Sequence, residues 1–86
     1  MTKMETDFCS LVEQYTLRKF GYHVSSLKSH DGATYDLKLK RLGDLTEILF
    51  PVFPEQVRDS VLTGQLPQGL LRSFDDCFKS QTARTA

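Results

Sequence analysis

The sequence predicts a small α+β fold in the order α-β-β-α-α-α. Three observations carry this. An apolar stripe at helical spacing fills the first 20 residues, two alternating runs flank an Asp-Gly dipeptide, and a broader helical stripe occupies the C-terminal part. At 86 residues, with 40% hydrophobic and 26% charged side chains, the chain is expected to form one domain with a modest core.

The first helix is expected over about 5–20. Met4, Phe8, Leu11, Val12 and Tyr15 recur at steps of three and four and therefore share a face. Arg18 and Lys19 fall in the last turn, where cations suit the helix dipole, and Gly21 stands where a left-handed cap residue belongs.

A hairpin is expected over 22–41. Asp31-Gly32 between two extended runs fits a two-residue type I′ turn. That register sets Val24 against Leu39, Ser26 against Leu37 and Lys28 against Tyr35. Tyr22, Val24, Tyr35, Leu37 and Leu39 then share one side, while His23, Ser25, Thr34, Asp36, Lys38 and Lys40 share the other. Leu27 alone breaks the alternation.

Asp44-Leu45-Thr46-Glu47 reads as a capping box opening a short helix through Leu49, which Pro51 ends. Phe50-Pro51-Val52-Phe53-Pro54 becomes a rigid corner between helices. Its phenylalanines either plug the core or form an aromatic ridge for a partner's groove. Pro54 suits the first position of a helix over 54–63, which buries Val57, Val61 and Leu62 and ends at Gly64. The last helix is expected over 67–80, with Leu66, Leu70, Leu71, Phe74, Cys77 and Phe78 on its apolar face. The residues after it are expected to fray.

Composition narrows the function. Eleven basic and eleven acidic residues cancel, so no global field attracts nucleic acid or an anionic membrane. The longest apolar run, 48–54, is far short of a bilayer span, and the N-terminus lacks the order of a signal peptide. Two cysteines, Cys9 and Cys77, fit a reduced, cytoplasmic protein. Neither lies at metal-ligand spacing from His23 or His30, and the two histidines, seven residues apart on one strand, point to opposite faces, with Lys40 rather than an orienting carboxylate across from His23. No glycine-rich phosphate loop occurs. No catalytic residue, metal or cofactor is assigned, and an enzyme is not expected.

The expected role is a non-catalytic protein-interaction or regulatory module. Cys9, Leu17, Phe20 and Leu27 lie off the apolar faces of their elements and make a candidate surface for a protein partner or a second copy, with Phe50 and Phe53 added if the 50–54 corner faces outward. The open edges of the hairpin offer a second route to self-pairing. The alternative is a nucleic-acid binder. Residues 18–41 carry Arg18, Lys19, Lys28, Lys38, Lys40 and Arg41 against Asp31 and Asp36, a local excess of four positive charges. Its contacts would come from Arg18, Lys19, Lys38, Lys40 and Arg41.

Overall fold

The structure, a computed structural model, describes residues 2–30, 32–43 and 46–85, and their side chains apart from residues 30 and 80–85. Its elements are α1 (Lys3–Phe20), β1 (Tyr22–His30), β2 (Thr34–Arg41), β3 (Glu47–Val52), α2 (Pro54–Thr63) and α3 (Gln68–Thr85). The strands form one antiparallel sheet in the order β1-β2-β3. The class is α+β, as the sequence predicts, with a third strand where a short helix was expected.

α1 starts earlier than its apolar stripe. The Thr2 hydroxyl accepts the Glu5 N–H at 3.2 Å and the Glu5 carboxylate accepts the Thr2 N–H at 2.7 Å, a reciprocal capping box. That bond holds the Glu5 carboxyl below its ordinary pKa. Gly21 ends the helix at φ 77°, a conformation that favours glycine.

The hairpin departs from its expected register. Tyr22 to Val24 pair with Arg41 to Leu39 as predicted, but Ser25 has no partner, and from there Ser26 pairs with Lys38 and Leu27 with Leu37. The loop is accordingly three residues, 31–33, with Gly32 at φ 71°. Asp31 lies outside the described residues. The cause is Leu27. The regular two-residue register would leave Leu27 in water and turn Lys28 inward. The bulge reverses both, leaving Leu27 7% exposed and setting Lys28 across from Asp36. Burying one leucine favours this arrangement by about 1.5–3 kcal/mol, more than a local irregularity need cost.

β3 replaces the expected helix over 44–49; Asp44 and Leu45 of the presumed capping box lie outside the described residues. The segment alternates instead. Ile48, Phe50 and Val52 turn inward, and Glu47, Leu49 and Pro51 turn outward. Pro51 is tolerated because β3 is an edge strand. Counting alternate pairs from the Arg41 N–H to Thr46 carbonyl bond at 2.8 Å, the nitrogen of residue 51 faces away from β2, so no ladder bond is lost.

α2 occupies the span expected of it. Phe53 is its N-cap, Pro54 its first residue, and the Gln56 side chain accepts the Phe53 N–H at 2.9 Å. Its buried face is Val57 and Ser60; Leu62, expected inside, is 74% exposed. α3 crosses the inner face of the sheet. Phe74 packs on Phe50 of β3 with ring centroids 4.6 Å apart, and Phe78 packs on Tyr22 of β1 at 4.6 Å and on Phe20 of α1 at 4.5 Å. The helix continues to Thr85, past its expected end.

Candidate interaction surfaces

The proposed apolar surface on α1 and β1 does not assemble. Leu27 is buried in the sheet through the bulge, so its assignment to a surface is corrected. Phe20 is half-buried between Phe78 and the edge of Tyr15, because α3 covers the flank of α1 that helical periodicity alone leaves open. Cys9 is half-buried beside β1, where burial, and the charges of Glu5 and Glu13 after it, raise its thiol pKa. Leu17 remains in water at 41% exposure. Phe50 and Phe53 separate: Phe50 lies on Phe74, and Phe53 is 54% exposed.

The edges of the hairpin are not both open. β3 covers β2. The outer edge of β1 meets α1. The Glu13 carboxylate accepts the Val24 N–H at 3.1 Å, and the buried Thr16 hydroxyl lies 2.9 Å from the Tyr22 carbonyl and 3.0 Å from that of Val12. These are the outward groups a neighbouring strand would use, so α1 occupies the start of that edge. The outer edge of β3 lacks one donor at Pro51.

The basic residues also divide. Lys38 and Lys40 stand on the outer sheet face, with Lys38 3.9 Å from Glu47 and Lys40 opposite that same residue. Arg41 turns inward and lies over the Tyr22 ring at 5.2 Å. Lys19 is held at the end of α1 by the Tyr15 hydroxyl at 3.2 Å and by Asp75 at 3.7 Å, which together raise its pKa. Arg18 lies beside it on the same helix. These five cations do not share one face.

Two features remain. The first is the outer face of the sheet, over which no helix packs among the described residues. Positions 47, 49, 51 and 53 run along its β3 margin, and three of them are apolar. Leu49 is 62% exposed, Pro51 is exposed, and Phe53 continues the extended alternation with φ −87° and ψ 147°. Leu42, in the turn before β3, is 60% exposed. Segment 42–53 thus contributes half of the six strongly exposed large hydrophobic residues among the described residues. The strand alternation that would reveal this stripe is legible in Ile48-Leu49-Phe50-Pro51-Val52-Phe53 once the segment is read as a strand. The second feature is a cleft of about 560 Å³ between α1 and the α2–α3 turn.

Among the described residues no helix is long and apolar enough to cross a membrane, and no three potential metal ligands converge. No family model, curated protein or solved structure matches the chain.

Proposed function

We propose that this chain is a non-catalytic binding module that docks a protein partner on the outer face of its sheet, through Leu49, Pro51 and Phe53. The observation that carries the reading is the run of alternate outward apolar positions along an edge strand and just past its end, each exposed and uncovered among the described residues. A small domain gains nothing in its own stability from such a stripe, and a contiguous exposed apolar patch is the usual mark of an interface. The charges beside it alternate in sign, with Lys28 against Asp36 and Lys40 against Glu47. This suits a partner surface of mixed charge around an apolar centre.

Nucleic acid is the second reading, favoured by one observation: Phe53 supplies an exposed aromatic beside the face that bears Lys38 and Lys40. Asp36 and Glu47 on that face oppose phosphate. Affinity capture from lysate with the tagged wild-type chain and with Leu49→Lys/Phe53→Ser, each with and without nuclease, separates the two. The protein reading requires a stoichiometric partner that survives nuclease and is lost with the double variant. Capture that vanishes with nuclease shifts the assignment to nucleic acid, and capture unaffected by the double variant removes this surface.

A further inference from the structure

The cleft lies on the helical side of the molecule, away from the sheet surface, and does not depend on the reading above. One wall is α1 and the other is the α2–α3 turn with the start of α3. Leu11, Leu66 and Leu71 line it, each only half-buried, and the Tyr15 ring completes an apolar floor. Its volume of about 560 Å³ falls in the range of about 300–1,000 Å³ typical of small-molecule sites. The lining amounts to eight residues, whereas a standard protein interface takes about 20–30 a side. This favours a small ligand over a macromolecule.

The polar groups decide its charge. Gln14 and Gln65 contribute amides, Arg18 and Lys19 contribute cations, and no carboxylate is among the lining residues. The two cations are not equivalent. Lys19 is already compensated by Asp75, whose carboxylate also accepts the Tyr15 hydroxyl at 2.6 Å. That bond and the partial burial of the ring raise the Tyr15 pKa, burial being the larger cause. Arg18 is exposed, and no ion pair or hydrogen bond ties its guanidinium among the described residues. A single uncompensated guanidinium beside an apolar floor is complementary to a single carboxylate on an apolar body, because its planar fork matches two carboxylate oxygens.

We infer that this cleft binds an amphipathic monocarboxylate, with its apolar body against Leu11, Tyr15, Leu66 and Leu71 and its carboxylate on Arg18. The stretch of α1 from Leu11 to Lys19 spans about 12 Å at 1.5 Å per residue, which suits a medium-length acyl or aromatic acid.

The test is titration of the full-length, isotope-labelled chain by two-dimensional amide NMR, with decanoate as probe and decanol as its uncharged counterpart. The inference expects saturable shifts at amides of residues 11–19 and 64–71. Decanoate should bind about tenfold or more tightly than decanol, since a hydrogen bond to a charged group is being compared with its loss. Arg18→Gln, a change at an exposed position that leaves the core untouched, should abolish that preference while decanol binding stays the same. Absence of saturable shifts, equal binding of acid and alcohol, shifts centred on the sheet, or an undiminished preference in Arg18→Gln would each overturn it.

Discussion

Removing a hydroxyl from the core should make this protein more stable. Tyr22 is 1% exposed, and its hydroxyl has no hydrogen-bond partner among the described residues. An unsatisfied buried hydroxyl costs about 1–3 kcal/mol. Tyr22→Phe removes that cost and keeps the ring on Phe78 and beneath Arg41. The lost oxygen leaves a void of about 10–15 Å³, the size of one water probe, which costs about 0.3 kcal/mol at about 24 cal/mol per Å³. The net expectation is a gain of about 1–2 kcal/mol, with a rise in Tm of at least about 4 °C for a domain of this size. Urea denaturation followed by far-ultraviolet circular dichroism reads the change as a higher midpoint at constant slope. A loss of about 1 kcal/mol or more in Tyr22→Phe would mean that the hydroxyl is satisfied, and the packing of α3 on β1 described above would have to be redrawn.

Further outcomes follow from the same contacts. Thr16→Val keeps the shape but strips the Tyr22 carbonyl of its donor, and should cost about 1–3 kcal/mol in the same urea assay. Leu27→Ala should cost about 2–4 kcal/mol, whereas Leu49→Ala should stay within about 0.5 kcal/mol; equal effects would contradict the bulged register. Gly21→Ala forces a side chain into the left-handed region at φ 77° and should destabilise by about 1–2 kcal/mol, seen as a lower Tm. Burial, reinforced by Glu5 and Glu13, raises the Cys9 pKa, so the folded chain holds that proton to higher pH than the unfolded chain does. The stability this contributes is complete below the unfolded thiol's value of about 8.5 and is lost as pH rises through the folded one. Cys9→Ser should therefore flatten the alkaline limb of the stability–pH curve.

The helices were legible because their ends carry local chemistry. Pro54 and Gly64 bracket α2, and Gly21 stops α1, through backbone preferences that need no neighbour. β3 was hidden for the converse reason. Asp44 and Glu47 mimic a helix start, and Pro51 argues against a strand unless that strand lies at an edge, which is a fact about the sheet rather than the segment. The inward alternation of Ile48, Phe50 and Val52 was present but outweighed. The hairpin register was half legible. Leu27 signalled the irregularity, but where the extra residue sits depends on what α1 and α3 cover. The same coverage decides the surfaces. A helical wheel marks Phe20 as outlying because it knows one neighbour of α1, and α3 is a second. The cleft was beyond reach, since residues 11–19 and 65–71 meet only in the folded chain.

Ser25 makes the length of β1 adjustable at one point. It is exposed, pairs with nothing, and separates two stretches that are each in regular register. A chain lacking Ser25 could run Val24, Ser26, Leu27 without interruption, and every remaining residue would keep both its partner and its side of the sheet. Dropping Lys28 or Ser29 instead would exchange inside for outside along part of the strand. Gain or loss of a codon should thus be tolerated very unevenly within β1, and among natural variants of this chain residue 25 is where the hairpin could change length without changing its fold.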